Sequence, residues 1–380
     1  MLTRLPSAAD CNRLQPTRYP RIPGMTIDTL VRPEIRDLQP YVTARQVSAS
    51  VRMNANELPW PSPSDNASHP LNRYPEIRPE GLHRALAAHY GVPTECLLAT
   101  RGSSEAIDLL VRAFCKAGRD SILITPPTFS MYRVYADIQG AETLAAPLQE
   151  GNGFDLDVPA TLGACQPHTK LVFICSPNNP TGNVVPPEQI VDIARARRGE
   201  SIVVVDEAYA EFSNSQSMAA SIGHSDNIVV LRTLSKALAL AGARCGTVMG
   251  PARLIGWLNA MLAPYALATP VIDCVLRALE SGNLQTSRDA VAHIVRERER
   301  LRERLATLSQ VERVWPSQTN FLLVRLNEAQ RVLDHLHARS ILVRDFPHDP
   351  ALAGCARITV GTQEENELLI AALTSFRKET

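Results

Sequence analysis

Lys236 is the residue of this sequence best placed to act as a nucleophile. It follows an apolar run at 228–231, which is typical of a short buried strand, and it lies among hydroxyls and small residues in LRTLSKALALAGARCG. Arg244 follows shortly afterwards. A lysine that loses water near another cation has a lowered pKa, and its neutral amine attacks carbonyl groups. A surface lysine in a strand-to-helix connection is the simpler interpretation of this stretch alone.

Other polar and aromatic residues follow predicted strands in the same way. Near-continuous apolar runs, separated by helical patterns, predict strands buried on both faces at 121–125, 171–175, 201–205 and 228–231. This pattern favours a mostly parallel sheet with helices on both faces. In such sheets ligands bind in the crevice at the carboxyl ends of the strands. We therefore expect one crevice to contain Phe129, Asn179, Asp206, Tyr209 and Lys236.

A predicted helix at 101–115 opens on Gly-Ser-Ser. Ser103 or Ser104 can cap this helix, and Glu105 supports its first turn. A helix that begins in this way also offers free backbone N–H groups and hydroxyls to a phosphate. An ordinary capped helix explains the same residues without any ligand.

The chain divides into four predicted parts. Residues 1–24 are rich in Arg and Pro without periodicity, which indicates either a disordered extension or an upstream start codon that is not the one used, since Met25 follows. We expect 25–53 to pack with a small domain, and 54–270 to form the large domain that carries the sheet. Beyond about residue 270 the pattern becomes that of a smaller α+β domain, 271–380. Its predicted elements are a charged helix at 288–308, strands at 319–325, 341–344 and 356–360, and helices at 330–338 and from 364.

Composition excludes several classes of partner. Lys plus Arg and Asp plus Glu number 39 each, so no net field favours nucleic acid or an anionic membrane. No apolar run reaches the roughly 18 residues of a membrane span, and a cytoplasmic location is expected. The eight cysteines lack a C-x-x-C spacing, and we expect them to be reduced thiols. We expect no metal site, because only His335 and His337 lie close together, on different faces of a predicted helix.

Seven motifs occur in an order typical of one enzyme superfamily: NANELP, NRYPE, PPTFSMY, CSPNNPTG, DEAYAEF, LRTLSKALALAGARCG and CARITVGT. The sequence resembles the aspartate-aminotransferase superfamily and, within it, the histidinol-phosphate aminotransferases, over about residues 38–374. The resemblance implies a fold-type-I α/β transferase that binds pyridoxal 5′-phosphate in its large domain. It also implies a homodimer, and transfer of an amino group between L-histidinol phosphate and 2-oxoglutarate in histidine biosynthesis.

The resemblance assigns roles around the cofactor ring. Lys236 would bond covalently to the cofactor and, when freed by substrate, carry a proton during the reaction. Asp206 would face the pyridine nitrogen and keep it protonated. Phe129 would stack on the ring, while Asn179 and Tyr209 would hydrogen-bond its phenolic oxygen.

Further residues would bind the two phosphates by the same resemblance. Those for the cofactor phosphate are Ser103, Ser104, Thr233, Ser235, Arg244 and, from a second subunit, Tyr74. Those for the substrate are Tyr41, Asn56, Arg344 and Arg357. Two departures from the usual pattern are Ser-Ser in place of Ala-Asp at 103–104, and Phe129 in place of a frequent tyrosine. The first departure affects only the side-chain roles of residues 103 and 104, because their backbone groups can still bind the phosphate.

Three other functions stay open at this point. A threonine-phosphate decarboxylase has the same fold and also takes a phosphorylated amine, but it releases carbon dioxide. An aminotransferase for aromatic amino acids shares the cofactor residues. A non-catalytic regulatory protein could keep the fold, although intact Lys236, Asp206 and Arg244 argue against it.

Overall fold

The computed structural model describes residues 27–41, 51–67 and 69–376. The helices are α1 (Pro33–Arg36), α2 (Glu80–Tyr90), α3 (Gly102–Phe114), α4 (Met131–Gln139), α5 (Val158–Ala164), α6 (Pro187–Ala196), α7 (Ala252–Met261), α8 (Thr269–Ala278), α9 (Ser281–Ala306), α10 (Ala329–His337) and α11 (Gln363–Thr374). The strands are β1 (Leu97–Thr100), β2 (Ser121–Ile124), β3 (Glu142–Ala145), β4 (Thr169–Cys175), β5 (Ile202–Asp206), β6 (Ile228–Thr233), β7 (Gly246–Met249), β8 (Val311–Val314), β9 (Phe321–Leu326), β10 (Arg344–Asp345) and β11 (Cys355–Thr359).

The large domain is built on a seven-stranded sheet with the order β1-β7-β6-β5-β4-β2-β3. Only β7 runs antiparallel to its neighbours, so the predicted mostly parallel sheet is confirmed. Cys175 of β4 lies opposite Asp206 of β5, and Asp206 lies opposite Leu231 of β6. The central strands therefore end at one level. The sequence reading missed β1, β3 and β7, which are four-residue strands, too short for a clear periodic pattern.

Helices cover both faces of this sheet, as predicted. Along β4, Leu171 and Phe173 belong to the apolar cluster beneath α3, α4 and α7. Their neighbours Val172 and Ile174 point into the opposite cluster, which includes α2 and α6. The alternation follows from the two-residue repeat of a strand. Because both faces are buried, the polar ends of the strands are left as the place where the sheet meets a ligand.

The smaller domain contains a four-stranded antiparallel sheet with the order β10-β11-β9-β8. Strand β9 connects the two domains: Phe321 and Leu323 join the large-domain core, whereas Leu322 and Val324 join the small-domain core. In place of the predicted strand at 341–344 the structure has the two-residue strand β10. The charged helix begins at Ser281, earlier than predicted. A boundary near residue 270 stays a prediction.

The described part of the N-terminal segment packs on the large domain. Ile27, Leu30 and Val31 are buried in the cluster that includes α3 and α7, and the backbone N–H of Arg32 donates to the carbonyl of Ala113 at 3.0 Å. The expectation that 25–53 packs with the small domain is therefore wrong for residues 27–32. Its physical reason is that local apolar spacing predicts a buried face but does not choose the surface that buries it. The predicted extension 1–24 lies outside the described residues.

No helix in the described ranges combines the length and the apolar character that crossing a bilayer requires. Among the same residues, no group of three or more His, Cys, Asp or Glu side chains is arranged to hold a metal ion.

Candidate active site

Asp206 lies at the centre of the crevice floor, at the end of β5. Its side chain is buried, with the residue only 3% exposed. The Tyr132 hydroxyl donates to Oδ2 at 2.8 Å, and the backbone N–H of Ala208 donates to Oδ1 at 3.1 Å. Burial raises the pKa of Asp206 from 3.8 to about 6, although both hydrogen bonds oppose this rise. A cationic nitrogen placed beside the carboxylate would favour its ionised form.

The loop after β4 is tied to the loop after β2 by Asn178. Its Nδ2 donates to the carbonyl of Pro127 at 2.9 Å, and its Oδ1 accepts from the Thr128 hydroxyl at 2.8 Å. The adjacent Asn179 faces the small domain, where its Oδ1 accepts from the Arg357 guanidinium. Sequence reasoning missed Asn178, because no local pattern states that its side chain joins two loops that are 50 positions apart.

Lys236 lies beyond β6 at the mouth of the crevice. Its Nζ is 5.8 Å from the ring centroid of Tyr209, a residue that itself follows β5. The residue is exposed overall, yet enough protein surrounds the amine to lower the pKa of Lys236. Loss of water is the largest cause of that shift, followed by the charges of Arg357 and Arg244, while Asp206 opposes it. A larger share of neutral amine suits the nucleophile predicted from the sequence.

An anion cradle forms where α3 begins. A Cβ atom on Gly102, whose φ is +73°, would lie 2.8 Å from a guanidinium nitrogen of Arg244, and one on Gly246 would lie 2.6 Å from the backbone nitrogen of Ser103. These glycines let the helix start approach β7 and Arg244 closely. Arg244 also donates to the Ser235 hydroxyl oxygen at 3.3 Å. Backbone N–H groups at a helix start together with a guanidinium fit a phosphate group.

The remaining cradle residues flank this point. Ser104 is half-buried in the first turn of α3, next to Ser103. Thr233 is buried at the end of β6, and its hydroxyl donates to Ser235 at 3.0 Å. Three of the predicted phosphate residues, Ser103, Thr233 and Ser235, thus lie at Arg244 or beside it, and Ser104 follows in the same helical turn.

Two arginines face the crevice from the small domain. Arg344 of β10 lies directly opposite Arg357 of β11 in the sheet register. The Arg357 guanidinium lies over the Phe321 ring, 5.3 Å from its centroid. Burial lowers the pKa of Arg357, and the charge of Arg344 lowers it further. Within the part of the chain that the structure describes, no carboxylate pairs with either arginine, including Asp345 beside Arg344.

Three predicted residues, grouped with Arg344 as the rim, are exposed on this chain. Tyr41 is 65% exposed and Tyr74 is 51% exposed. Asn56 is exposed on a loop and has a φ of +56°. Tyr74 stacks on Tyr265 with ring centroids 4.6 Å apart. Across the described ranges, none of the three rim residues hydrogen-bonds a residue of the crevice floor. Phe129 is half-buried next to the floor, with its ring edge-to-face against Tyr132.

A buried ion-pair network next to Asp206 was also missed. Arg232 of β6 bonds Glu207 at 2.9 Å and Glu211 at 2.7 Å, and Glu207 also accepts from the Ser217 hydroxyl and the Met218 N–H. The network holds the ends of β5 and β6 together. An arginine inside an apolar strand was the available signal, because a buried charge requires a partner.

Comparison with known proteins identifies the family. The family model described as aminotransferase class I and II matches residues 41–373. The chain belongs to this family. A curated histidinol-phosphate aminotransferase from Xylella fastidiosa is 46% identical over 356 residues, covering 93% of this chain and 97% of that protein. One from Cronobacter sakazakii is 41% identical over 351 residues, covering 92% and 97%.

A solved structure supports the same fold. The chain matches a histidinol-phosphate aminotransferase from Sinorhizobium meliloti in complex with pyridoxal-5′-phosphate, with a TM-score of 0.73, 24% identity and coverage of 80% of this chain and 82% of that one. The resemblance noted in the sequence, the fold-type-I architecture and the enzyme class are confirmed. Pyridoxal 5′-phosphate, the predicted cofactor, is confirmed with the family, and the anion cradle and the buried Asp206 fit its phosphate and its ring nitrogen.

Proposed function

We propose that this aminotransferase interconverts L-histidinol phosphate and 2-oxoglutarate with 3-(imidazol-4-yl)-2-oxopropyl phosphate and L-glutamate, in histidine biosynthesis. The observation that carries the choice of substrate is the pairing of Arg344 with Arg357 across β10 and β11. Two adjacent guanidiniums repel each other unless an anion lies between them. A phosphate dianion suits such a pair better than one carboxylate, because each guanidinium presents forked donors to its oxygens.

Arg357 can serve both halves of the reaction. By its motif it corresponds to the arginine that clamps the substrate carboxylate in related amino-acid transaminases. Its contacts with Phe321 and Asn179 hold its guanidinium at the crevice. Glutamate would present a carboxylate to Arg357, and histidinol phosphate, which has no carboxylate, would present its phosphate to Arg357 and Arg344 together. Tyr41 and Asn56 are further candidates for substrate contacts.

The cofactor, when bound, supplies an electron sink for the C–H bond that breaks. In this proposal Asp206 holds the ring nitrogen, Phe129 covers one ring face, and Asn179 and Tyr209 hold the phenolic oxygen. Ser103, Ser104, Thr233, Ser235 and Arg244 hold the phosphate. Lys236 binds the cofactor covalently and then moves the proton, a task for which its lowered pKa is suited.

We further propose that the active unit is a homodimer in which Tyr74 reaches the partner's phosphate cradle. The support is a run of exposed large apolar side chains in and near the long loop before α2: Leu38, Tyr41, Val51, Met53, Leu58, Trp60, Leu71 and Tyr74. Exposed large apolar side chains concentrated in one part of the sequence favour an interface, and a second copy of the chain would cover them. A cytoplasmic location is part of this proposal.

A substrate panel with the purified enzyme tests the reaction. Histidinol phosphate should be used with a kcat/KM at least tenfold to a hundredfold above that of histidinol, which lacks the phosphate, because about one or two charge-assisted bonds are lost. Equal use of both compounds, or a preference for aromatic amino acids, would contradict the assignment. Release of carbon dioxide from threonine phosphate without a 2-oxo acid would indicate the lyase.

A further inference from the structure

Tyr132 connects the floor of the crevice with one of its walls. It lies in the first turn of α4 and is fully buried. Its ring stacks on Phe173 of β4, with centroids 4.7 Å apart and planes at 15°. The same ring meets Phe129 edge-to-face at 5.6 Å. Its hydroxyl donates to Oδ2 of Asp206 at 2.8 Å. One side chain thus contacts both the carboxylate assigned to the ring nitrogen and the aromatic residue assigned to the ring face.

The direction of this hydrogen bond follows from the chemistry of its partners. An ionised carboxylate only accepts hydrogen bonds, so the Tyr132 hydroxyl is the donor. Burial raises the pKa of Tyr132 well above its ordinary value, and the charge of Asp206 adds to that rise, so the hydroxyl keeps its proton. With Ala208 on the other oxygen, Asp206 has two donors out of the roughly four that a carboxylate can accept. Capacity for a third donor, from the crevice, is left.

The other groups around Asp206 do not replace this bond. The charge of Lys236, beyond β6, favours the ionised carboxylate, whereas neighbouring Glu207 opposes it. Cys175 on β4 and Tyr209 after β5 also face Asp206, and burial raises the pKa of both, which keeps them neutral. Among these groups, the hydroxyl of Tyr132 is the neutral side-chain donor bonded to the carboxylate.

We propose that Tyr132 is a positioning residue for the cofactor ring. Its ring is held by stacking on Phe173 and packs against Phe129, while its hydroxyl keeps Asp206 ionised and in place. The inference rests on the cofactor roles proposed for Asp206 and Phe129. It predicts that the Tyr132 hydroxyl affects cofactor binding and acid sensitivity without touching the cofactor itself.

Tyr132→Phe tests the hydroxyl alone, because the ring and its stacking are retained. The dissociation constant for pyridoxal phosphate, measured by dilution of the holoenzyme, should rise roughly tenfold to a hundredfold. The acidic limb of the kcat/KM profile should move to higher pH by about one unit, because Asp206 becomes harder to ionise. Tyr90→Phe, which also removes a buried hydroxyl, is the matched control and should change neither quantity. A folded Tyr132→Phe enzyme with wild-type affinity and acidic limb would overturn the proposal.

A second replacement keeps the test decisive if Tyr132→Phe does not fold. Tyrosine analogues with successive ring fluorines at position 132 keep the hydroxyl but make it a stronger donor. The acidic limb should then move to lower pH with each fluorine, an order that a purely structural role would not produce. No movement, or the opposite order, would overturn the inference. Borohydride labelling of the wild-type enzyme separates this result from the function: an enzyme that never binds the cofactor would refute the proposed function instead.

Discussion

The floor and the rim of the crevice differ in how completely one chain builds them. On the floor, Asp206 and Asn179 are buried at the ends of parallel strands, and each has hydrogen-bond partners within the chain. On the rim, Tyr41 and Tyr74 are more than half exposed, and Arg344 faces another cation. The floor is a product of the sheet itself, since strand register brings these side chains together whether or not a ligand is present.

This difference indicates that the floor and the rim have separate functions. A buried, hydrogen-bonded floor is fixed before the cofactor binds, which favours chemistry common to all aminotransferases. An exposed rim with unpaired cations gains its order from substrate or from a second subunit, which favours selectivity. Changes on the floor should therefore affect every substrate alike, and changes at a substrate residue of the rim such as Arg344 should separate one substrate from another.

The largest expected effect comes from Lys236→Ala. Without the amine, both half-reactions should fall by roughly a hundredfold to ten-thousandfold through lost proton transfer alone. Stopped-flow absorbance with each substrate separately measures both halves, and mass spectrometry after borohydride reduction locates the cofactor. Lys116→Ala, at a surface lysine paired with Glu34, is the control and should be unaffected. Full turnover without Lys236 would remove this lysine from the chemistry.

Arg344→Ala should separate the two substrates. The half-reaction with histidinol phosphate should weaken roughly tenfold to a hundredfold, and that with glutamate should change less, because only the phosphate needs the second guanidinium. Single-turnover rates for each half-reaction give the comparison. Arg339→Ala, at an exposed arginine that bonds His335, serves as the control. Equal losses on both substrates, or none, would place Arg344 outside the phosphate site.

Mixed dimers test whether the rim is shared between subunits. Neither a Lys236→Ala nor a Tyr74→Ala homodimer should be fully active. If Tyr74 acts across the interface, a dimer with one chain of each kind has one intact site. Random mixing should then restore about a quarter of the wild-type activity, given a twofold-symmetric dimer. No gain on mixing, with exchange of subunits verified by mass spectrometry, would mean that Tyr74 acts within its own chain or not at all.

The smallest expected effect concerns the stability of the floor without cofactor. The pKa of Asp206 is raised from 3.8 to about 6, so between these values the folded chain holds a proton that the unfolded chain has lost. The cofactor-free protein therefore loses stability as pH rises through this window. Asp206→Asn cannot ionise, and near pH 8 it should be more stable than the wild type by about 3 kcal/mol at most, a shift of a few degrees in Tm.

The control for this last test is pH itself. Near pH 4 the two proteins should melt alike, apart from the altered hydrogen bonds of the amide, because both carry a neutral side chain there. Thermal melts of the cofactor-free proteins across the window measure the difference. If the difference in Tm between the two proteins does not widen with rising pH, burial in the floor does not destabilise the ionised form of Asp206.

The sequence by itself determined four parallel strands of the large sheet, the family and most residues of the floor. Long apolar runs predict buried strands because both faces of a parallel strand must be covered, and Asp206, Asn179 and Lys236 follow those runs directly along the chain. Their common location is a consequence of strand direction and needs no knowledge of distant contacts. The cofactor could also be predicted without distant contacts, because each motif that carries the family resemblance is a continuous stretch of sequence.

Only the tertiary structure decided how distant side chains pair. Tyr132 and Asp206 are 74 positions apart, and Arg232 and Glu207 are 25 apart. No local pattern states which way such side chains point, because the packing of α4 and of neighbouring strands sets their orientation. The N-terminal segment shows the same limit. Its apolar spacing predicted burial, but packing against α3 and α7 determined which surface buries it.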